Sequence, residues 1–585
     1  MRFTLTASNP QAHHLRVTLE LERPDPAGQV LALPAWTPGS YMVRDFARHV
    51  IELHARCNGE PLSVTKLDKQ TWRCEPCAGP LQVDWTVYAN DRSVRAAAID
   101  GDGGFCNGSS VFLRPLGLPD GPFELVLPPT GGGDWRVATA MEPVAVDDAG
   151  FGTYRAADYE ELIDHPLRLG RFTRHAFTAA GVPHEVVLSG APRLDADRLC
   201  TDLARMCESH VELFGELPVR RYLFIMNLVG SGFGGLEHRA STVLDVARAS
   251  LPQPGDVADR DDYRDLLGLC SHEYFHLWHI KRIRPAAFVP YALAAESYTT
   301  LLWAFEGMTS YYDDLGLLRA GLLPVDAWLE RVARTLTRVH RGPGQRRQSV
   351  TESSFDAWTR FYKQDENAPN AIVSYYAKGA LVALALDLLL RRDTAGGCSL
   401  DDLMRALWQR HGRPGVGVPE DGIEQLAMEL SGLDLGGFFE QALRSTGALE
   451  LEPLLQAFGI RPLLESAEPT AQYSPQLAAA VREQDGLPSL AQLLEGGAAQ
   501  RAGLAVGDRV VAVDGIHLPA REFPQRLARL PAAEPLPVHV LRDDRLLERR
   551  LQLDPPAVDR WRLELVTDCD PETAERRAQW LGGAA

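Results

Sequence analysis

No stretch of this chain is long and apolar enough to span a bilayer. The longest apolar run, Ala380 to Leu390, is too short and carries Asp387. The opening residues, Met-Arg-Phe-Thr-Leu-Thr-Ala-Ser-Asn-Pro, lack the apolar core of a signal peptide, so the expectation is a cytoplasmic protein. Cysteine is scarce: nine among 585 residues, scattered and odd in number, which fits a reducing compartment. Cys74-Glu-Pro-Cys77 is a lone C-x-x-C with no second pair, and reads as structural rather than as a zinc or redox site. Positive charge is outweighed, 60 Lys and Arg against 78 Asp and Glu, a net charge of −18 that gives a nucleic-acid role no support. That balance serves solubility and mildly favours substrates with a free amine. Internal repeats and low-complexity tracts are also missing. What remains is a globular composition, 45% hydrophobic and 24% charged, long enough for about four domains at ~150 residues each.

Against that background one stretch carries chemistry. Leu267 to Arg282 contains His272-Glu-Tyr-Phe-His276, an H-E-x-x-H pattern. Apolar residues at helical spacing (Leu266, Leu267, Leu269, Cys270, Phe275, Leu277) predict a helix uninterrupted by proline until Pro285. Residues four apart stack on one helix face, so both imidazoles can address one ion, and Glu273 can reach a water on that ion as a general base. A catalytic zinc needs a third protein ligand and an open position. His279 shares the face, but seven residues of helix would put it ~10.5 Å from His272, too far for bonds of ~2 Å. Glu296 and Glu306 follow. Glu306 lies in an apolar segment, Leu301-Leu-Trp-Ala-Phe-Glu-Gly-Met, predicted to form a second helix beside the first, and is the expected ligand. The competing interpretation is a surface helix with satisfied histidines.

The rest of the chain divides by pattern. Residues 1–170 alternate apolar and polar in short runs such as Leu15-Arg-Val-Thr-Leu-Glu-Leu and Leu81-Gln-Val-Asp-Trp-Thr-Val-Tyr, separated by turns, predicting a β-sandwich-like domain. Within it, Leu33-Pro-Ala-Trp-Thr-Pro-Gly-Ser-Tyr-Met reads as a loop feeding a strand, with a packing role. Residues 171–320 hold a helix (Leu194 to Leu213), a buried strand from Arg221, and a Gly-rich turn, Ser231-Gly-Phe-Gly-Gly-Leu-Glu-His, running into another strand. An edge strand beside a zinc cleft can pair with an extended peptide. Residues 321–461 read as helical: Val325 to Val339, Ala377 to Arg392, Leu400 to His411, Ile423 to Leu430 and Gly436 to Ser445. In 462–558, Gly503-Leu-Ala-Val-Gly-Asp with a strand ending Asp514-Gly515 matches the core pattern of a PDZ domain, with Glu522 to Leu530 as groove helix and strands Pro537 to Leu541 and Glu548 to Leu553. The usual carboxylate-binding loop is not evident; Gly486-Leu-Pro-Ser is the nearest run. Residues 559–585 read as a short helical cap.

His272-Glu-x-x-His276 followed by Glu306-Gly307 resembles the gluzincin metallopeptidases. The longer run His272-Glu-Tyr-Phe-His-Leu-Trp-His-Ile-Lys-Arg-Ile-Arg-Pro resembles the glycyl aminopeptidase family, the gluzincins that carry a PDZ domain; that family often has Asn where this chain has His279. The resemblance implies a multidomain α+β protein: an N-terminal β domain, a thermolysin-like zinc domain completed by a helical lobe, and a C-terminal PDZ domain. It implies one Zn2+ per chain, held by His272, His276 and Glu306. Gly234-Gly-Leu-Glu237 resembles the Gly-x-x-Glu motif that holds a substrate's α-amine, which would make Glu237 the amine anchor, with Gly234 and Gly235 lining the peptide path. Tyr376-Ala-Lys-Gly379 resembles the motif whose Tyr stabilises the oxyanion. The expected activity is removal of small first residues, Gly or Ala, from peptides with a free N-terminus. Two rivals stand beside it: a zinc endopeptidase recruiting peptides through its PDZ groove, and a non-catalytic interaction protein.

Overall fold

The computed structural model describes residues 1–190, 192–257 and 260–582. Two units are distinguished by their internal contacts: Met1–Tyr298 with Tyr312–Leu323 and Met404–Glu420, and Thr299–Tyr311 with Pro324–Leu403 and Asp421–Ala585.

The alternating pattern at the start of the first unit produces strands. An eight-stranded sheet runs in the order Glu142–Val146, Gly152–Ala156, Phe123–Leu127, Arg2–Asn9, His14–Leu21, Leu81–Tyr88, Val50–Cys57 and Glu60–Leu62. All its pairings are antiparallel except Arg2–Asn9 with Phe123–Leu127. Period-two alternation puts one face inward. Leu15, Val17 and Leu19 lie opposite Val87, Trp85 and Val83, and all six are buried in one core with Phe3, Phe112 and Phe123. Two four-stranded sheets complete this β-rich region.

A mixed five-stranded sheet follows in the same unit, ordered Thr173–Ala179, Val182–Ser189, Tyr222–Val229, Ser241–Ala247 and Phe233–Glu237. Its two central pairings are parallel and its flanking ones antiparallel, so Phe233–Glu237 is an edge strand. The helices Ala196–Phe214 and Asp261–Phe275 belong to this region. The second of these carries the H-E-x-x-H motif and contacts the edge strand.

In the second unit the predicted helices appear as Val325–Arg341, Tyr375–Asp393, Gly422–Ser431 and Gly436–Phe439, the last continued by a π-helical turn, Glu440–Arg444; Leu400–Leu407, which runs from the second unit into the first, is likewise continued by Trp408–Gly412. The C-terminal part of the second unit is a six-stranded antiparallel sheet from Tyr473 to Leu551 with a core of its own around Leu490, Val510, Phe523 and Val540. The groove helix predicted over 522–530 is one short helix, Phe523–Leu527. The expected helical cap after 558 begins instead as a strand: Val558–Leu565 pairs with Ile460–Ser466, and the helix is only Pro571–Leu581. The last three residues of that predicted tail, 583–585, lie outside the described residues. The two-stranded pairing also spans the boundaries expected at 461/462 and 558/559. Val558-Asp-Arg-Trp-Arg-Leu-Glu-Leu alternates, and its partner lies about a hundred residues away, which local periodicity does not reveal.

Candidate metal centre and active site

The motif helix starts on Asp261 and Asp262, whose charges suit the positive end of the helix dipole. It ends at Phe275, with His276 as its C-cap, far short of Pro285. His279 is therefore not on the helix. After the helix the chain turns back on itself: Ile283 N–H donates to Trp278 O at 2.8 Å, and Ile280 adopts a positive φ of 93°. The turn aims the His279 carbonyl at His276, whose Nδ1 donates to it at 2.8 Å. His272 Nδ1 donates to Asp313 Oδ2 at 3.0 Å. With both Nδ1 atoms committed as donors, neutral rings carry their acceptor lone pairs at Nε2. Those two Nε2 atoms stand 3.1 Å apart, with the rings perpendicular. Two acceptors at that distance repel unless a cation lies against both. Bonds of ~2.0–2.1 Å at a tetrahedral angle place two ligand atoms roughly 3.3 Å apart, so the pair fits one zinc ion. Backing the far ring nitrogens with a carboxylate and a carbonyl is the usual support for such ligands.

Glu306 sits between two helical segments, Leu302–Phe305 and Gly307–Arg319, and is buried. Among the described residues, one group of His, Cys, Asp and Glu has ligand atoms that could meet at one ion: His272, His276 and Glu306, all within 4.8 Å of one another. The Cys74–Cys77 pair is not such a group, and burial raises the Cys74 thiol to about 11, as befits a structural cysteine. A Cβ on Gly307 would lie 2.5 Å from the Gly379 backbone, and one on Gly379 would lie 2.5 Å from Trp303 O. These paired glycines let the segment carrying Glu306 pass directly against the helix Tyr375–Asp393. Tyr375 is wholly buried, whereas Tyr376 is partly exposed. The Tyr376 ring stacks on Phe361, and its Oη lies 3.2 Å from Tyr362 Oη. Lys378 is buried, and desolvation lowers its pKa.

Glu273 and Glu237 are 5% and 4% exposed. A Cβ on Gly235 would fall inside contact distance of Glu273 Oε1, so only glycine fits this point of the edge strand beneath that carboxylate. Gly234 opens onto free space. Beyond Glu237, Asp164 accepts from His238 Nδ1 at 3.0 Å, Arg239 N–H at 3.0 Å and Lys281 Nζ at 2.7 Å. Burial would raise the Asp164 pKa, but the Lys281 charge and the His238 bond outweigh it and hold the group ionised well below the carboxylate range. Arg282 donates to the Arg239 and Leu277 carbonyls, and Arg284 to Glu160 at 2.6 Å. The Lys-Arg-Ile-Arg run thus ties the end of the motif helix to the turn that follows Glu237. Asp313, the His279 carbonyl, Asp164 and Phe361 were not singled out in the sequence. Each acts on a partner too distant in the chain, or too irregular in backbone, for spacing to reveal.

The profile of the Peptidase M61 N-terminal domain matches residues 2–171, and that of the M61 glycyl aminopeptidase matches residues 265–382. The chain is similar to the crystal structure of an aminopeptidase N family protein from Idiomarina loihiensis, with 38% identity, 99% of each chain covered and a TM-score of 0.95. An M1 zinc metallopeptidase mutant from Deinococcus radiodurans bound to a Tyr-Ser-Ala substrate is 16% identical, with 77% of this chain and 94% of that one covered and a TM-score of 0.49. Legionella pneumophila aminopeptidase A in complex with aspartic acid is 13% identical, with 76% and 49% covered and a TM-score of 0.47. A search of curated proteins gives no match.

Proposed function

From the premise that this chain belongs to the M61 glycyl aminopeptidase family and is a zinc aminopeptidase, we propose that it removes glycine or alanine from the free N-terminus of peptides. His272, His276 and Glu306 would hold one zinc ion. When bound, zinc lowers the pKa of its water and polarises the scissile carbonyl. Glu273 takes the proton of the attacking water and delivers it to the leaving amine. Tyr376 donates its Oη–H to the carbonyl oxygen as negative charge grows there; one such donor is worth about 2.7–4 kcal/mol of barrier. Glu237 neutralises the substrate's ammonium group, and the strand Phe233–Glu237 offers its main chain to the peptide.

The observation that carries the reading is the placement of Glu273 and Glu237 relative to one strand. The Glu273 carboxylate lies over Gly235, and Glu237 follows two residues on, on the same face. Two residues of strand advance about 6.6 Å. That separation accommodates one substrate residue between the point of attack and the anchored amine, which sets the cut after the first residue. The C-terminal module is read as a PDZ domain, supported by its antiparallel sheet and the Gly503-Leu-x-x-Gly-Asp turn. Its strand Ala479–Gln484 is already paired at its start by the chain's own Tyr473–Ser474, so a peptide in that groove forms no part of the proposal.

The test compares a Gly-Ala-type peptide with its N-acetylated form on zinc-analysed enzyme. Cleavage of the free peptide alone, releasing glycine, is expected. Equal cleavage of both would remove Glu237 from its role and favour an endopeptidase.

A further inference from the structure

The run Leu33 to Tyr41 was left without chemistry by the sequence, yet its burial is unusual for a loop. Every residue in it is buried except Gly39. The run is fixed from several sides. Ala35 N–H donates to Leu293 O at 2.8 Å, and Trp36 Nε1 donates to the Ala292 and Ala295 carbonyls at 3.0 and 2.9 Å. Thr37 Oγ1 accepts from Ser109 Oγ and donates to Asn107 Oδ1. Ser40 N–H closes a turn onto Thr37 O, Arg44 holds the Ser40 hydroxyl at 2.7 Å, and Tyr41 stacks on Phe288. The one open point of this rigid segment faces a carboxylate. A Cβ on Gly39 would sit 2.5 Å from both Glu237 oxygens and 2.6 Å from Glu237 Cδ. Gly39 also has φ of +93°, a conformation that side chains resist.

We propose that the Thr37–Ser40 turn is the second wall of the subsite for the substrate's ammonium group, and that Gly39 is a positioning residue for Glu237. Bare main chain at Gly39 gives the carboxylate a hard stop on one side while leaving it the space it occupies. This inference rests on the reading of Glu237 as the amine anchor. It also accounts for glycine at the single position of the run that is not buried: any side chain there would push the carboxylate out of register with a substrate amine.

A double-mutant cycle on the full-length, zinc-loaded enzyme tests it, using Gly39→Ala, Glu237→Asp and the pair with a glycyl peptide. Gly39→Ala alone is expected to raise KM at least tenfold with kcat within threefold and zinc content unchanged. In the Glu237→Asp background the shorter carboxylate vacates the contested space, so adding Gly39→Ala is expected to cost less than threefold in kcat/KM. If Glu237→Asp is too slow to assay, the same cycle is read from the Kd of glycinamide. Equal losses in both backgrounds would mean that the substitution acts by straining the turn, and would overturn the proposal, as would an unchanged KM in Gly39→Ala. Failure of the underlying reading is separately visible: wild-type enzyme would cleave the acetylated peptide as well as the free one.

Discussion

At the scale of single residues, the two sides of the His272–Glu273 pair are supported differently, and this separates metal binding from catalysis. Asp313 holds the Nδ1 proton of His272 and so fixes which nitrogen would face a zinc ion in the proposed site. Asp313→Asn is expected to weaken zinc affinity 10- to 100-fold, the usual cost of losing such a partner, measured by competition with a chromogenic chelator. Glu273 carries a different burden. Glu273→Gln keeps the shape over Gly235 but cannot accept a proton, so zinc content should stay at the wild-type level while turnover falls by 10²–10⁴. Activity surviving within tenfold, ~1.4 kcal/mol of barrier, would show that another group is the base. His272, Glu273 and His276 were legible because their spacing is a property of a helix. The distance that set His279 aside assumed a helix that does not continue that far. The helix stops at Phe275, and His279 contributes a backbone carbonyl to His276 rather than standing two turns away. Nothing in an apolar, proline-free run announces that stop; beyond it Arg282 bonds to Leu277 O and to the distant Pro218 O.

At the scale of elements, the helix Ala196–Phe214 lies behind the motif helix and meets it through His210. Its Nε2 and Ser271 Oγ are 2.7 Å apart, its ring lies edge-on to Phe275, and Gly316 leaves room for it, since a Cβ there would lie 2.5 Å from Cε1. Burial pushes the His210 pKa down to about 3. An unfolded histidine titrates near 6.5, so between pH 6.5 and 3 the unfolded chain binds the extra proton. Stability contributed by the neutral ring is therefore complete above pH 6.5 and declines as pH falls towards 3, by up to about 5 kcal/mol at 1.36 kcal/mol per pKa unit. In metal-free enzyme, the urea midpoint of wild type should drop more steeply than that of His210→Gln over this interval; parallel curves would mean that another group governs the acid transition. The helices that position the site were visible from their apolar spacing. The strand Val558–Leu565 was not, because a short alternating charged segment acquires its identity only from a distant partner, Ile460–Ser466.

At the scale of the whole molecule, the acidic composition and the lack of a membrane-length helix among the described residues narrowed the function less than one five-residue pattern did, because composition constrains solubility while a ligand set constrains chemistry. A ligand set also links chemistry to folding. Asp313 and the His279 carbonyl hold the two imidazole Nε2 atoms 3.1 Å apart in the folded chain. On the proposed ligand set, zinc would bind this arrangement in preference to an extended chain and would stabilise the fold by RT ln(1 + [Zn]/Kd), about 4.1 kcal/mol at a thousandfold excess over Kd. Removing zinc with a chelator should therefore lower the Tm, and adding zinc back should restore it. Glu273→Gln should show the same shift as wild type, since the ion's ligands are intact, although it turns over poorly. His276→Ala should show a low Tm that neither chelator nor zinc moves. The comparison by differential scanning calorimetry is decisive because it does not depend on activity: a chelator-sensitive Tm in His276→Ala would place the ion elsewhere, and an insensitive one in wild type would mean that the paired imidazoles do not hold it.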